Sequence, residues 1–276
     1  MNPSVEKYGR TYHAITSSTY TLPRDAEERK RLSLQHTVLK DVFKGNILPI
    51  ITSSLPKDAK ILDIGCGSCD WCVEVANSYS DAQVQGVDMS DLFPKDGPKN
   101  AKFDVYNVLN GLPYEDNTFD LVQMRLLILA WRTEEWHFML KEIHRVLKPG
   151  GYVQLIESRF TTIVDNPTVE LLNNTMRTMM KERGLESCIV EKLNNWIPDH
   201  GFQLEERQKQ DLDFSDRDDS VAQTMVYCWI DVMKAMKPYM ENYLIEHDID
   251  QLLDQYSQEC GLTNFFQFYA FVGKKL

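Results

Sequence analysis

Short apolar runs alternate with helical patterns along the middle of the chain, from Lys60 to Ser158. This alternation is typical of βαβ units, in which consecutive strands lie parallel in one sheet and helices cover its faces. Five of the runs are predicted as strands: Lys60–Ile64, Gln83–Asp88, Lys102–Asn107, Phe119–Met124 and Gly151–Glu157. The sequence therefore predicts an α/β protein with a mostly parallel sheet.

Helical spacing and chain-breaking residues indicate the other elements. Over Glu134–Leu147 the apolar residues recur on one helical face, and the segment KPGG at 148–151 ends the pattern. Two more helical stretches and a strand are predicted at about 167–183, about 219–259 and Asn264–Val272. With a further short strand near 201–204, we expect a seven-stranded sheet with helices on both faces.

A chain of 276 residues is long enough for one large α/β domain with additions, and short for two independent domains. Residues 1–57, with a helix predicted from about Asp25 to Lys44, are expected to form an N-terminal cap. Residues 58–276 are expected to form the main domain, with helical lid insertions at about 160–200 and 215–260. We expect the cap and the lid to lie over the edge of the sheet where ligands bind.

Charge and composition exclude several classes of protein. The net charge of −11 would repel a phosphate backbone, and Lys and Arg form no basic run, so nucleic acid is not expected as a partner. No stretch approaches the roughly 18 apolar residues that span a bilayer, and the N-terminus lacks an apolar signal-peptide core. We expect no membrane association and a cytoplasmic location, with the nucleus as the alternative.

A glycine-containing turn follows the first predicted strand directly. The strand ends at Ile64, and Gly65-Cys66-Gly67 leads into a helix that starts near Asp70. Ligands of open α/β sheets bind at the carboxyl ends of the strands, where glycine permits a tight turn and a close approach of backbone N–H groups. Asp63, at the end of the strand, is placed to accept a hydrogen bond from such a ligand.

Polar side chains also end the next two predicted strands. Asp88 can accept hydrogen bonds from both hydroxyls of a ribose, and the side-chain amide of Asn107 can pair with an adenine edge. Met89 and Val108 can then lie on the two faces of the base. A glycine turn or a strand-end Asp is often only a tight connection or a helix cap, but the combination predicts a nucleoside site.

The dinucleotide fingerprint G-x-G-x-x-G fails in this turn, because Asp70 stands at the position of its third glycine. A pyrophosphate would also be unfavourable beside the carboxylates of Asp63 and Asp70. A cofactor with a positively charged sulfonium group fits this acidic loop better than NAD does.

The chain resembles the class I S-adenosylmethionine-dependent methyltransferases in four segments: ILDIGCGSCDW, GVDMSDLFP, NVLNGLPYEDNTFDLVQMR and EIHRVLKPGGYVQLIES. More narrowly, it resembles the fungal LaeA-like group, whose N-terminal signature is similar to RTYHAITSSTYTLPRDAEERKRLSLQH. The resemblance is strong over about residues 8–158 and weak beyond them. It implies a Rossmann-like fold, S-adenosylmethionine as cofactor and methyl transfer as the reaction.

The resemblance also implies roles for particular residues. Position by position, the family's cofactor-binding residues fall on Asp63, Gly65, Cys66, Gly67, Asp88, Met89, Asn107, Val108 and Arg125. The first four are the cofactor loop, Asp88 is the ribose acid, the next three are the adenine contacts and Arg125 lies beside the methionine moiety. One departure is Cys69, which stands where the pattern usually has a third glycine. Its side chain must be tolerated near the cofactor or point away from it.

Three cysteines, Cys66, Cys69 and Cys72, form the pattern C-x-x-C-x-x-C. An iron–sulfur cluster normally needs a fourth nearby thiolate, and the next cysteine is Cys188. We therefore expect no metal and interpret the three residues as loop and helix positions of a nucleotide-binding fold.

Tyr20, His36 and Glu157 are predicted to reach the substrate pocket. The alternative for His36 is a hydrogen-bonded structural role, because it shares a helical face with apolar residues. Methionines also recur on helical faces, as at Met225 and Met233. Their spacing fits an adaptable binding surface, although ordinary core packing produces the same pattern and is favoured.

The sequence thus predicts an enzyme that moves a methyl group from S-adenosylmethionine to an oxygen or nitrogen atom of a small or medium-sized organic substrate. A second hypothesis is a LaeA-like regulatory protein that binds the cofactor and acts through protein partners. A third, an NAD-dependent oxidoreductase, would require tighter binding of NADH than of S-adenosylhomocysteine.

Overall fold

The computed structural model describes residues 4–14, 18–159, 164–263 and 265–276. The chain begins with an antiparallel hairpin of β1 (Ser4–Lys7) and β2 (Arg10–His13), followed by helices α1 (Ala26–Val42) and α2 (Pro49–Thr52). The Asp25 side chain caps α1 through the Glu28 N–H at 2.9 Å and also accepts a hydrogen bond from Arg10 Nε at 2.7 Å. The same carboxylate therefore starts α1 and ties the hairpin to it.

The remaining strands form the main sheet. They are β3 (Lys60–Ile64), β4 (Gln83–Asp88), β5 (Ala101–Val105), β6 (Phe119–Arg125), β7 (Leu147–Arg159), β8 (Phe202–Asp213) and β9 (Phe265–Lys275). Within the described ranges this sheet has seven strands in the order β5-β4-β3-β6-β7-β9-β8, of which β9 runs antiparallel to its neighbours. The sequence-based prediction of a mostly parallel seven-stranded sheet agrees with this arrangement.

Seven helices connect or flank these strands in the described part of the chain. They are α3 (Asp70–Ser78), α4 (Thr133–Val146), α5 (Pro167–Glu182), α6 (Ile189–Asp199), α7 (Ser220–Ala235), α8 (Lys237–Met240) and α9 (Ile249–Thr263). The apolar face predicted for α4 is buried, including Trp136, Leu140 and Ile143. Its N-terminus is capped by Glu135, whose Oε2 accepts the Arg132 N–H at 2.6 Å. Across the described residues, no helix combines the length and apolar character needed to cross a membrane.

The elements after Ser158 differ most from the prediction. The helical stretch expected at 219–259 is divided into α7, α8 and α9. The first break falls at Met236, and Pro238 follows it in the first turn of α8, where the missing N–H of proline is tolerated. The short strand expected near 201–204 extends through β8 to Asp213. Its middle is polar because β8 lies at the edge of the sheet, so the sequence lacks the apolar run that marks an interior strand.

The third predicted strand is also shorter than expected, since β5 ends at Val105. Asn107 lies beyond the strand and caps a 3-10 turn at Val108–Asn110, where its side-chain oxygen accepts the Leu109 N–H at 3.1 Å. The helix α6 and the hairpin β1–β2 were not predicted. Ile197 of α6 packs against β9 at Gly273 and so covers the sheet.

The N-terminal segment and α7 pack together above the carboxyl ends of the strands. Helix α1 lies against α7. From β2, the Tyr12 hydroxyl donates a hydrogen bond to the Ala235 carbonyl at the end of α7, at 2.7 Å. Side chains from both elements line one cavity with residues at the strand ends. The expected division into a cap at 1–57 and a domain at 58–276 stays a prediction.

Candidate cofactor site and adjoining chamber

The glycine turn after β3 forms the floor of this cavity. Gly65 has φ +70° and Gly67 has φ +54°, both in the left-handed region that favours glycine. A Cβ atom at Gly65 would lie 2.7 Å from Leu127 Cδ2, and one at Gly67 would lie 3.2 Å from Leu32 Cδ1. Glycine is therefore favoured here by the backbone conformation, and any side chain would also displace Leu127 or Leu32.

Asp88 at the end of β4 holds this turn in place. Its Oδ2 accepts the Gly67 N–H at 2.9 Å, while its Oδ1 accepts the Ser90 N–H at 2.7 Å and the Ser90 hydroxyl at 2.9 Å. An ionised carboxylate has about four lone-pair positions, so capacity remains for a ligand hydroxyl. Asp88 also lines the cavity, which places a hydroxyl acceptor beside the glycine turn.

Met89, Asn107 and Val108 line the same cavity beside Asp88. Because Asn107 Oδ1 is used to cap the 3-10 turn, its side-chain NH2 is the group suited to an acceptor atom on an adenine edge. The four residues come together although they belong to two different strand ends. Their assignment to adenine and ribose stays a prediction.

A smaller cavity also adjoins the glycine turn, and Asp63, Cys66 and Arg125 line it. Asp63 is only 2% exposed, and its burial raises its pKa to about 7 against the opposing effect of Arg125. Cys72 donates a hydrogen bond from its thiol to Asp63 Oδ2 at 3.3 Å. The predicted residues for the amino-acid end of a cofactor therefore share one small cavity.

His36 lines this smaller cavity. Arg125 Nη1 lies 3.2 Å from His36 Nδ1, and because Arg has no acceptor, His36 must accept this hydrogen bond as the neutral ring. Burial and the charge of Arg125 lower the pKa of His36 to about 4, which agrees with the neutral form. Its other nitrogen, Nε2, lies 3.4 Å from Glu74 Oε2. His36 therefore holds Arg125 through a hydrogen bond, while its placement in the substrate pocket stays a prediction.

Glu157 lies behind the loop that follows β6. It is 1% exposed, and its Oε1 accepts the Leu127 N–H at 2.7 Å. Burial raises the pKa of Glu157 to about 8. Glu157 is absent from the described linings of the two cavities, so it acts on the site through Leu127, which packs on Gly65.

Of the three residues predicted for the substrate pocket, Tyr20 is the one that lines the larger cavity. It faces His13 in a stacked arrangement with ring centroids 6.0 Å apart. Burial raises the pKa of Tyr20, so its hydroxyl stays protonated at neutral pH. Its placement in the substrate pocket stays a prediction.

Sequence reasoning missed Arg31, which lines the larger cavity with Met225, Trp229 and Phe266. Glu28 and Arg31 stand three residues apart on α1, a spacing that is usual for exposed ion pairs on helices, so the sequence carries no sign that this pair is buried. Met233 and Met236, by contrast, are fully buried, as the preference for core packing implied.

The three thiols of the C-x-x-C-x-x-C pattern lie near one another behind the glycine turn. The sulfur atoms of Cys66 and Cys69 are 3.5 Å apart. Cys69 has φ +64° and is fully buried at the start of α3, so its side chain is tolerated inside the core. Among the described residues, no group of three or more His, Cys, Asp or Glu is arranged to hold a metal ion.

Comparison with known proteins identifies the part of the chain that carries these features. Residues 61–151 match a methyltransferase domain family. This range includes the glycine turn, Asp88, Asn107 and Arg125. The central region of the chain is therefore similar to methyltransferase domains.

Three curated relatives extend the likeness. The secondary metabolism regulator laeA of Monascus pilosus is 31% identical over 169 residues, which cover 61% of this chain and 45% of the relative. The protein-methionine methyltransferase laeA of Emericella nidulans is 29% identical over 169 residues, 60% of this chain and 43% of the relative. Methyltransferase str2 of Strobilurus tenacellus is 34% identical over 134 residues, 49% of this chain and 47% of the relative. The matched regions span less than half the length of these relatives.

The fold is shared with solved structures at low sequence identity. The crystal structure of the [4+2]-cyclase SpnF superposes with a TM-score of 0.53 at 16% identity and covers 93% of this chain and 98% of that chain. The predicted Rossmann-like class I methyltransferase fold and the resemblance to LaeA-like proteins are confirmed. S-adenosylmethionine is the cofactor that this resemblance implies, and the acceptors at the strand ends and the glycine turn fit it.

Proposed function

We propose that this protein is an S-adenosylmethionine-dependent methyltransferase that modifies an oxygen or nitrogen atom of a small or medium-sized organic substrate. One observation carries the proposal. The larger cavity is lined at one side by Gly67, Asp88 and Asn107 and at another by Tyr20 and Trp229. A single cavity thus offers room for a nucleoside cofactor and for a second molecule beside it.

When bound, the cofactor supplies a methyl group on a positively charged sulfur. Asp88 and the glycine turn orient the nucleoside end, while Asp63 and Arg125 bind the amino-acid end. The acidic groups near the turn favour a cation over a pyrophosphate. Tyr20 remains protonated because burial raises its pKa, so it serves as a hydrogen-bonding group and not as a base.

The lid and the cap provide the second part of catalysis, which is positioning and the exclusion of water. Methyl transfer to a neutral nucleophile disperses charge, so a closed apolar site and correct alignment can supply much of the rate. Trp229 and Phe266 present apolar surface to the cavity, with ring centroids 5.1 Å apart. No dedicated base is required by this arrangement.

Calorimetric titration and methyl transfer test the proposal. We expect S-adenosylhomocysteine to bind more tightly than NADH, and labelled methyl from S-adenosylmethionine to enter a small molecule in extracts of the source organism. The Gly65→Val variant should lose both cofactor binding and methyl transfer, because its side chain would collide with Leu127. Tighter binding of NADH would contradict the proposal and support an oxidoreductase.

A second candidate is a regulatory protein that binds the cofactor and acts through protein partners. The names of two relatives favour it, since one is called a secondary metabolism regulator and another a protein-methionine methyltransferase. Incorporation of labelled methyl into protein, or cofactor binding without any methyl transfer, would support this candidate.

The cytoplasm, with the nucleus as the alternative, is the location we propose.

A further inference from the structure

The part of the larger cavity beside the cofactor site is an apolar chamber, defined here by Leu22, Leu32, Trp131, Met225, Trp229 and Phe266. The rings of Trp229 and Phe266 are in edge-to-face contact. The indole N–H of Trp229 donates to the Tyr256 hydroxyl at 2.7 Å, so this polar group is already used within the lid. The chamber therefore offers aromatic and aliphatic surface that suits a ring-bearing molecule.

Arg31 brings a charged group to the wall of this chamber. It is 3% exposed, and it donates to Glu28 twice, from Nε to Oε2 at 2.9 Å and from Nη2 to Oε1 at 2.7 Å. Its third nitrogen, Nη1, is buried and has no hydrogen-bond partner among the residues that the structure describes. A buried N–H without a partner is unfavourable by about 1–3 kcal/mol, so this group calls for an acceptor.

The charges around Arg31 indicate what kind of acceptor fits. Glu28 is 1% exposed and neutralises the guanidinium through two hydrogen bonds. A carboxylate on the ligand would add a further negative charge among the apolar residues of the chamber, beside an Arg31 that Glu28 already neutralises. A carbonyl oxygen would satisfy Nη1 without adding a charge.

We propose that the substrate is an uncharged, ring-bearing molecule whose carbonyl oxygen accepts a hydrogen bond from Arg31 Nη1. The inference deepens the proposed function, on which it rests, because it assigns the substrate class of the same site. It makes Arg31 a specificity-determining residue and Glu28 the group that excludes anionic analogues.

Matched probes test the proposal by equilibrium dialysis in the presence of S-adenosylhomocysteine. Benzophenone and diphenylmethane differ by one carbonyl group, and 4-benzoylbenzoate adds a carboxylate. The double variant Glu28→Met/Arg31→Met removes both charges together. In this variant we expect the preference for benzophenone over diphenylmethane to fall about tenfold, because a hydrogen bond to a charged donor is lost. Diphenylmethane itself should bind the variant as it binds the wild type.

The single variant Glu28→Gln provides a second measurement in which Arg31 is retained. In this variant the Arg31 guanidinium is no longer neutralised, so we expect the ratio of 4-benzoylbenzoate affinity to benzophenone affinity to rise about tenfold or more. Unchanged probe ratios in both variants would overturn the proposal. So would tighter binding of 4-benzoylbenzoate than of benzophenone to the wild type, or the absence of binding by all three probes.

A separate titration of each preparation with S-adenosylhomocysteine monitors folding and tests the proposed function. Binding of S-adenosylhomocysteine should be unaffected in both variants, since neither Glu28 nor Arg31 lies at the strand ends. Absence of cofactor binding in the wild type would count against the methyltransferase proposal. Altered probe ratios alongside normal cofactor binding would support the role of Arg31.

Discussion

The cofactor side and the chamber side of the cavity hold their polar groups in different ways. On the cofactor side, Asp88 and Asn107 bond to backbone N–H groups of nearby turns. On the chamber side, Arg31 on α1 lines the cavity together with Trp229 on α7 and Phe266 on β9, which are roughly two hundred residues further along the chain. Local turn chemistry therefore shapes the cofactor site, whereas long-range packing shapes the substrate chamber.

The buried ion pair of the chamber should show the largest effect on stability. We expect Arg31→Met to lower the free energy of unfolding by about 3–5 kcal/mol, because Glu28 would remain buried without its counter-charge. The double variant Glu28→Met/Arg31→Met should recover most of this loss. Denaturant-induced unfolding measures both. Equal destabilisation by the single and the double variant would contradict a buried, mutually dependent pair.

Glu157 holds the loop whose Leu127 lies against Gly65 and lines the cavity. Its folded-state pKa of about 8 is above the ordinary value of 4.5. The folded state therefore keeps a proton that the unfolded chain releases, and stability should fall as pH rises from about 4.5 to about 8. The side chain of the Glu157→Gln variant stays neutral at every pH. We therefore expect this variant to lose about 2–4 kcal/mol less stability than the wild type over the same pH range.

Unfolding curves of Glu157→Gln and the wild type at pH 5 and pH 8 provide the measurement. Asp63, whose pKa is raised by burial to about 7, contributes a slope of the same sign over its own range, so some pH dependence should remain in the variant. An identical pH dependence in the two proteins would show that Glu157 does not keep its proton.

Asp88→Ala tests the cofactor side. We expect it to weaken binding of S-adenosylhomocysteine by about 1–3 kcal/mol, since the ribose acceptor and the bond to the Gly67 N–H are both lost. Ser90→Ala is the matched control, because it removes one hydroxyl bond to the same carboxylate and keeps the acceptor. Calorimetry should show a much smaller change for the control, and unchanged affinity in folded Asp88→Ala would remove Asp88 from the site.

The smallest effect is expected at Cys69. A left-handed conformation is unfavourable by roughly 1–2 kcal/mol for a residue with a Cβ atom, and Cys69→Gly would relieve it. The variant also loses a buried thiol, so the net change in unfolding free energy should be within about 1 kcal/mol. Cys72→Ala, in the helical interior of α3, should be clearly more destabilising because it loses burial without relief of strain. A larger loss for Cys69→Gly would contradict this balance.

The sequence-based predictions were accurate where local turn chemistry shapes the molecule and less accurate where long-range packing does. The bounds of β3 and β4 were predicted correctly, because each is a short run with buried apolar residues and a clear end, the glycine turn after Ile64 for β3 and the polar Asp88 for β4. The edge strand β8 and the helix α6 were missed or shortened, since their stability depends on neighbours that are distant in sequence. Asn107 was expected to end a strand, but it lies beyond the strand and caps a 3-10 turn.

The sequence by itself determined the parallel α/β core, the glycine turn and the strand-end acids, because periodicity and turn chemistry act over a few residues. Only the tertiary structure decided that Glu28 and Arg31 are buried, that His36 positions Arg125 and that Glu157 holds a loop. Each of these depends on which distant side chains exclude water from a charge. Burial is a property of the packed chain, and for this protein it is what separates the cofactor site from the substrate chamber.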